Sequence, residues 1–212
     1  MHIDSIVVGE FQVNCFILWE NSPNALVVDP GDNPERISNF LKQNGLIPSA
    51  YLFTHGHCDH ISALPILCRE FPAPIAMHKS DLEWAFTKEN DFPPYYKATD
   101  RPSVESRELK DNAYYLDAGL NYKVLHTPGH TPGAVCLYFY ENSVLLTGDT
   151  LFAGSVGRSD LPGGNSRKLQ RSIDFLATLP DDTRVYAGHG QCSTILQEKK
   201  TNYFMRFSNK IE

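Results

Sequence analysis

The chain has 212 residues, 42% of them hydrophobic, and a formal net charge of −6 at pH 7. This composition suits one α/β domain with a sizeable core. The acidic balance, with no cluster of Lys and Arg, argues against nucleic acid as a partner. No apolar run approaches a membrane span, so no membrane association is expected, and the N-terminus lacks a secretory signal. Five scattered cysteines favour reduced thiols in the cytoplasm over a disulfide framework.

The first half of the chain alternates predicted strands and helices. Runs of apolar and β-branched residues predict strands over 3–8, 13–19, 25–29, 50–54 and 74–77. Helical spacing predicts helices over 34–44, 61–70 and 80–88, the first with Asn33 as its N-cap and Pro34 at its first position. Residues 89–112 contain many charges and no clear period, and they are predicted to be irregular.

The second half repeats this organisation. Strands are predicted over 114–116, 122–126, 134–140, 143–147 and 185–187. A helix capped by Asn165 is predicted to run to Leu179, and a terminal helix over 195–207. Two β-rich halves, each followed by helix, predict a sandwich of sheets with helices outside. No linker divides the chain, so we expect a single domain over 1–212.

Residues 54–60, Thr-His-Gly-His-Cys-Asp-His, contain the densest group of metal-binding side chains in the sequence. They lie between a predicted strand and a predicted helix, where α/β proteins commonly place functional residues. Burying three imidazoles and a carboxylate together is costly without a compensating charge. The segment therefore predicts a site for divalent transition metals. His55 and His57 can converge on one ion, while Asp59 and His60 enter the helix and point elsewhere.

Three later strands each lead to another residue of a metal-binding type. His130 lies between two glycines in Thr-Pro-Gly-His-Thr-Pro-Gly, Asp149 closes an apolar strand, and His189 is flanked by glycines after the last strand. Open sheets place their sites at the carboxyl ends of strands. We therefore expect these three side chains to meet the segment 54–60.

Together these motifs match one known family in order and spacing over nearly the whole chain, from about residue 28 to residue 189. The chain resembles the metallo-β-lactamase superfamily and, within it, the short bacterial glyoxalase II-like (hydroxyacylglutathione hydrolase-like) metallohydrolases. The resemblance implies an αββα four-layer sandwich that holds two divalent ions. Zinc is the ion we expect most, with iron or manganese as alternatives, because availability and affinity order decide which ion enters.

By motif position, the resemblance implies seven metal ligands: three for a first ion, three for a second, and one that bridges them. These ligands are His55, His57 and His130; Asp59, His60 and His189; and Asp149. Asp59 is also expected to orient the nucleophile. His60 distinguishes subfamilies, because a common dizinc β-lactamase would carry Arg there and a Cys ligand in its second site. Cys58 occupies a variable motif position and is expected to be a packed residue.

The resemblance implies a metal-dependent hydrolase acting on a small molecule. A thioester such as hydroxyacylglutathione suits the site, because a thiolate leaves without help from a protein acid. Two alternatives remain open: a mononuclear iron persulfide dioxygenase of the same superfamily, and a non-catalytic metal-binding protein. The complete ligand set argues against the second alternative. The sequence leaves the oligomeric state open.

Substrate residues are less well defined by the sequence. Full-length glyoxalase II enzymes add a helical domain that helps to hold glutathione, whereas 23 residues follow His189 here, so no separate C-terminal substrate domain is expected. Arg158 is expected either to pair with Asp160 and shape its loop or to meet a substrate carboxylate. Tyr95 and Tyr96, in the irregular segment 89–112, are predicted to line the mouth of the site. The alternative is a surface excursion or a dimer contact, with both tyrosines packed on the protein's own helices.

Asp29 ends a buried strand and has no evident partner in the sequence. Metal-binding histidines usually donate their second ring N–H to a carboxylate or a carbonyl. We therefore predict that Asp29 lies beside the cluster and orients an imidazole, with His55 as the candidate. The alternative is an Asp that only shapes the turn over 29–31.

Overall fold

Two six-stranded sheets form the framework of the computed structural model, which describes residues 1–206. Six strands form the first sheet in chain order: β1 (His2–Val8), β2 (Val13–Trp19), β3 (Asn24–Val28), β4 (Ile47–Leu52), β5 (Ile75–Met77) and β6 (Ser106–Glu108). Eight follow: β7 (Tyr114–Asp117), β8 (Leu120–His126), β9 (Val135–Phe139), β10 (Val144–Gly148), β11 (Leu151–Phe152), β12 (Ser155–Val156), β13 (Arg184–Ala187) and β14 (Ser193–Thr194). The second sheet has the order β14-β13-β10-β9-β8-β7, while β11 and β12 pair separately.

Seven α-helices accompany the sheets in the part of the chain that the structure describes. They are α1 (Pro34–Gln43), α2 (Cys58–Ile61), α3 (Leu64–Glu70), α4 (Lys79–Leu82), α5 (Ser166–Leu176), α6 (Ile195–Thr201) and α7 (Tyr203–Arg206). Short 3-10 turns occur at Lys88–Asn90 and Tyr140–Asn142. Within residues 1–206, none of these helices has the length and apolar content needed to cross a bilayer.

Apolar side chains point alternately to the two faces of the strands and produce three apolar layers. In β2, Cys15 and Ile17 face a cluster shared with α1 and α3, while Phe16 and Leu18 face the second sheet. The inner layer joins β2, β3 and β4 to β8, β9 and β10. A third cluster packs α5 and α6 on the outer face of the second sheet. Since successive residues of a strand point to opposite faces, this pattern gives helix, sheet, sheet, helix. The predicted αββα sandwich is confirmed.

The connectivity brings several strand ends to one edge. β3 and β4 are parallel, as are β10 and β13, so the loops that follow each pair emerge on the same side. The two sheets are also joined there, because Val135 N donates to Thr54 O at 2.8 Å and Asn14 N donates to Gly188 O at 2.7 Å. The loops after β3, β4, β8, β10 and β13 therefore converge on one edge of the sandwich.

Three predicted helices that precede residue 180 are shorter or broken. The helix predicted over 61–70 is divided into α2 and α3, because Pro65 in the first turn of α3 has no N–H to bond the preceding turn. The helix predicted over 80–88 ends at Leu82 and continues as turns. Within these turns, the Asn90 side-chain amide donates to the Ala85 carbonyl at 2.6 Å. The helix capped by Asn165 ends at Leu176 rather than Leu179.

Other boundaries also differ from the predictions. The terminal helix over 195–207 breaks at Asn202, which is extended and separates α6 from α7; its last predicted residue lies outside the described residues. The irregular segment 89–112 contains β6, which pairs in parallel with β5. Asn33 stands at the N-cap of α1 as predicted, but its side chain makes no capping bond and accepts from Gly9 N at 2.9 Å instead.

Candidate metal centre

Three histidines from different loops form the first cluster. His55 and His57 follow β4, and His130 lies in the loop between β8 and β9. One ring nitrogen of each residue lies within 4.8 Å of the other two. His130 Nε2 is only 2.9 Å from His57 Nδ1. Three imidazole nitrogens that converge in this way suit a divalent ion of the zinc type.

The second cluster consists of Asp59, His60 and His189, whose donor atoms also lie within 4.8 Å of one another. Asp59 and His60 belong to α2, and His189 follows β13. Asp59 Oδ2 is 3.7 Å from His60 Nε2 and 3.6 Å from His189 Nε2. The clusters share the segment 55–60, so two metal sites would be neighbours.

Asp149 lies between the two clusters, directly after β10. Its Oδ1 is 3.5 Å from His60 Nε2, while its Oδ2 is 3.4 Å from His189 Nε2 and 3.6 Å from His130 Nε2. One carboxylate thus reaches a histidine of the first cluster and two of the second. This is the placement that a bridging carboxylate requires.

The buried donor atoms in this region fit metal ions. His55 Nε2, His60 Nε2 and Asp149 Oδ1 are buried, and none has a hydrogen-bond partner among the described residues. An unpaired buried polar atom is costly, and such atoms in a native structure need an explanation. Imidazole nitrogens and a carboxylate oxygen aimed at common points are explained by divalent ions.

The opposite ring nitrogens of these histidines have fixed partners. His60 Nδ1 lies 3.1 Å from Asp29 Oδ2, and the Thr54 hydroxyl, 3.1 Å from His55 Nδ1, donates to the same oxygen at 2.6 Å. The Asp29 carboxylate therefore contacts His60 directly and reaches His55 through Thr54. Its direct partner is His60 and not the His55 candidate suggested by the sequence, because the Thr54 side chain lies between Asp29 and His55.

Two further histidines are oriented by backbone carbonyls. His130 Nδ1 is 2.7 Å from Arg158 O, and His189 Nδ1 is 2.8 Å from Phe11 O. A carbonyl can only accept, so each Nδ1 carries the hydrogen and each Nε2 is left to face the clusters. Partners of this kind set the tautomer and the ring orientation of a metal-binding histidine.

Burial and neighbouring charges shift the pKa values of histidines in the two clusters in opposite directions. Burial and neighbouring imidazoles hold the pKa of His55 well below its usual range and lower the pKa of His57 to about 3. Burial opposes protonation of His60, but the Asp59 and Asp149 carboxylates outweigh it and raise the pKa of His60 to about 10. Without a metal, the second cluster thus retains a proton as its positive charge.

Two buried polar residues that the sequence analysis missed support the loops. Asp81, from α4, accepts from Gly56 N at 2.9 Å, the Thr131 hydroxyl at 2.6 Å and Gly133 N at 2.6 Å. It therefore joins the loop of His57 to the loop of His130. Asn90 accepts from Cys58 N at 3.1 Å and donates to Gly56 O at 2.8 Å. Cys58 contributes its backbone here, and its side chain is buried, as expected of a packed residue.

Close packing around the cluster requires glycine at two positions. A Cβ on Gly188 would lie 2.3 Å from Asp149 Oδ1, and one on Gly157 would lie 1.8 Å from Asp149 O. Both distances are shorter than any real carbon contact, so a side chain at either position would displace Asp149. Packing against Asp149 therefore requires the first glycine of the Gly-His-Gly motif, independently of any role of His189.

A cavity of about 760 Å³ opens beside the clusters. His57, Asp59, His130, Asp149 and His189 all line it. Such a volume is in the range of small-molecule sites. The surface that the clusters present to this cavity is therefore accessible to a small substrate.

The substrate residues predicted from the sequence have different positions around this cavity. Arg158 lines it, and its guanidinium pairs with Asp160 through two contacts of 2.8 Å. Tyr95 lines it as well and is 56% exposed. Tyr96 is not among the lining residues: it is buried and packs against Phe11, and its role as a substrate residue stays a prediction. Adjacent residues of this loop point in different directions.

Comparison with known proteins identifies the family. A family model described as the metallo-beta-lactamase superfamily matches residues 8–189. The chain is 35% identical to hydroxyacylglutathione hydrolase GloC of Haemophilus influenzae, over 97% of this chain and 98% of that protein. Among solved structures, it resembles the B3 metallo-beta-lactamase BLEG-1, with 33% identity, a TM-score of 0.89 and coverage of 96% and 99% of the two chains. It also resembles TTHA1623, solved in a di-iron-bound form, with 35% identity, a TM-score of 0.85 and coverage of 95% and 99%. The chain belongs to the metallo-β-lactamase superfamily.

Proposed function

We propose that the protein is a dinuclear metal-dependent hydrolase that acts as a thioesterase on a small-molecule substrate. The observation that carries the proposal is the arrangement of seven donor side chains as two groups of three with Asp149 between them. The relative named hydroxyacylglutathione hydrolase supports thioester chemistry. The accessible cavity supports a small substrate.

Zinc is the metal that we propose for both positions. Histidine nitrogens and carboxylate oxygens suit zinc, but they also bind iron and manganese. The di-iron form of TTHA1623 supports iron as the principal alternative. The first cluster would hold one ion through its three imidazoles, the second cluster would hold the other, and Asp149 would contact both.

Bound divalent ions supply a water of lowered pKa and a Lewis acid for the carbonyl oxygen of the substrate. The protein contributes the placement of these groups. Asp59 and Asp149 face the cavity with carboxylates that can accept a hydrogen bond from an attacking water. Asp29 and the backbone carbonyls of Arg158 and Phe11 hold the imidazoles in a single tautomer.

A thioester fits this set of groups better than an ester or an amide. An alkoxide or amine leaving group needs a proton from an acid, whereas a thiolate leaves readily without one. All the imidazoles that line the cavity belong to the two clusters, so a free histidine acid is absent among the described lining residues. The leaving group of lowest basicity is therefore the one that this site can expel.

The comparisons favour β-lactam hydrolysis as a second candidate activity. BLEG-1, named a B3 metallo-beta-lactamase, aligns with nearly the whole chain. Opening a β-lactam ring uses the same attack on a carbonyl, and ring strain replaces the good leaving group. His60 excludes only lactamases that carry Arg at that position.

The five free cysteines favour a reducing compartment, and we propose the cytoplasm. Four of them are buried, including Cys15 and Cys136, and each remains a thiol. A disulfide framework plays no part in holding the described fold together.

A substrate panel tests the proposed activity. The zinc-loaded protein is assayed with S-lactoylglutathione and other thioesters, with nitrocefin, and with glutathione persulfide under oxygen monitoring. We expect thioester hydrolysis that chelation abolishes and zinc restores. Nitrocefin turnover without thioester turnover would replace the proposal with a lactamase. Oxygen uptake by an iron-loaded sample, without hydrolysis, would replace it with a dioxygenase.

A further inference from the structure

The walls of the cavity are apolar above the metal clusters. Phe11, Phe92 and Tyr95 form an aromatic wall, in which Phe11 lies 5.5 Å from Phe92 and 5.1 Å from Tyr95 between ring centroids. This wall adjoins the second cluster, because Phe11 O accepts from His189 Nδ1. Apolar surface of this kind binds the apolar part of a ligand.

Apolar side chains also flank the first cluster. The Trp84 ring lies 5.6 Å from the His57 ring, and Leu161 and Pro162 also line the cavity. A substrate whose carbonyl lies at the metal clusters would therefore meet apolar side chains near both clusters.

The charges around the mouth are unfavourable for an anion. Among the described residues that line the cavity, three charged side chains lie outside the metal clusters: Glu89, Asp91 and Arg158. Glu89 and Asp91 are exposed and negative. Arg158 is paired with Asp160 through both carboxylate oxygens. Because Asp160 neutralises Arg158, this ion pair adds no net positive charge to the mouth of the cavity.

We propose that this cavity selects thioesters with apolar substituents and a thiol carrier that bears no net negative charge, and that Glu89 and Asp91 discriminate against anionic carriers. The proposal rests on the proposed thioesterase function and names its substrate class. Glutathione and coenzyme A are net negative, so they are disfavoured. A short neutral thiol of the N-acetylcysteamine type is the favoured class of carrier.

The expected size of the discrimination follows from Coulomb's law. One unit charge about 7 Å from another in water changes an equilibrium about threefold. The interaction between exposed charges is screened as the Debye length falls from about 30 Å at 0.01 M salt to about 8 Å at 0.15 M. Selection against an anionic carrier should therefore weaken as salt is added, while binding of a neutral carrier should not change.

Binding of two unreactive thioethers tests the proposal without turnover. The full chain, loaded with zinc, is titrated by calorimetry with N-acetyl-S-hexylcysteamine and with S-hexylglutathione, which carry the same alkyl group. We expect the neutral thioether to bind more tightly and independently of salt. The glutathione thioether should bind more weakly at about 0.01 M salt than at about 0.15 M salt.

Matched variants test whether the charges at the mouth of the cavity cause the discrimination against the anionic carrier. Glu89→Gln should lower the Kd of S-hexylglutathione about threefold relative to that of the neutral thioether. Glu141→Gln also removes one negative charge, but Glu141 precedes β10, at the strand end opposite Asp149. This variant should leave the ratio of the two Kd values unchanged. Asp91 is a less clean site for substitution, because it also accepts from Ala98 N at 2.7 Å.

Three results would overturn the proposal: tighter binding of S-hexylglutathione that weakens with salt, no binding of either thioether, or equal effects of the two variants. These results are independent of the thioesterase assay. If both thioethers bind as expected and no thioester is hydrolysed, the proposed function is wrong while the preference for uncharged carriers holds.

Discussion

Asp29 supports both metal clusters from outside them. Its carboxylate contacts His60 Nδ1 through Oδ2, receives the Thr54 hydroxyl at the same oxygen and receives Thr54 N at Oδ1, 2.8 Å away. Its backbone has φ of 51°, in the left-handed region that Asp and Asn tolerate best among residues other than glycine. One buried side chain thus orients a histidine of each cluster.

Asp29→Asn should lower zinc affinity while leaving the fold intact. Asn keeps the backbone conformation, but its amide group replaces an acceptor with a donor that faces His60 and Thr54. Loss of such an outer partner typically costs 10- to 100-fold in metal affinity, and we expect a loss of about that size. Competition with a chromophoric chelator measures the affinity, and circular dichroism checks the fold.

Thr54→Val provides the comparison for this change. It removes only the contact that relays Asp29 to His55, so its effect should be smaller than that of Asp29→Asn. Zinc affinity of Asp29→Asn equal to that of the unmodified protein would show that Asp29 only shapes its turn.

Metal binding should release protons at neutral pH. With its pKa raised to about 10, His60 carries a proton at pH 7 in the metal-free protein and must lose it to bind a metal. His55 and His57 release none, because their pKa values are already lowered below neutrality. Zinc affinity should therefore rise with pH until about pH 10, and at least one proton should be released at pH 7.

Calorimetry in buffers of different ionisation enthalpy counts these protons. His60→Gln should release about one proton fewer than the unmodified protein. His78→Gln, which changes a histidine outside both clusters, should leave the count unchanged. A count of zero in the unmodified protein would mean that His60 is neutral before the metal enters.

At the scale of elements, the metal centre is built from loops that are fixed by buried side chains rather than by long helices. The segments that follow β4 and β8 are joined by Asp81, and Asn14 donates to Ala187 O at 3.0 Å and Gly190 O at 2.9 Å beside His189. Short α2 and α4 bring Asp59, His60 and Asp81 into place. Packing and hydrogen bonds of this kind restrain the side chains that these loops carry.

The segment after α4 contributes one wall of the cavity and one part of the core. Tyr95→Ala should raise KM about two- to tenfold, because an aromatic contact is worth about 0.5–1.5 kcal/mol, while metal content stays unchanged. Tyr96→Ala should leave KM unchanged and lower the free energy of unfolding by about 3–5 kcal/mol, as for other buried aromatic residues.

Steady-state kinetics and urea unfolding of the two single variants separate these roles. If Tyr95→Ala leaves KM unchanged for every thioester that is hydrolysed, the aromatic wall is not part of the binding surface. A raised KM in Tyr96→Ala with normal stability would show that Tyr96 contributes to substrate binding.

At the scale of the whole molecule, the parts of the structure encoded by local patterns could be predicted from the sequence. Apolar runs predict most strands, and the strand-to-turn motifs place the seven donor residues at one edge of the sandwich. The helix breaks have local causes that the apolar pattern does not predict: Pro65 lacks a backbone N–H, and the Asn90 side chain donates to the Ala85 carbonyl. Propensity alone does not reveal such competition.

Long-range partners could not be predicted in the same way. Asp81 receives Gly133 N from 52 residues away, and no motif marks it. The direct contact of Asp29 with His60 rather than His55 depends on where Thr54 packs. Tyr95 and Tyr96 have the same residue type, and only the structure shows which of them faces the cavity.

The zinc stoichiometry of the unmodified protein, compared with His189→Ala and Asp149→Ala, tests the central claim most directly. Metal-free samples are dialysed against buffered zinc and analysed for metal and protein. We predict two ions in the unmodified protein, one in His189→Ala, and a larger loss in Asp149→Ala, because that carboxylate lies between both clusters. One ion or none in the unmodified protein, or two ions retained by Asp149→Ala, would contradict the dinuclear site.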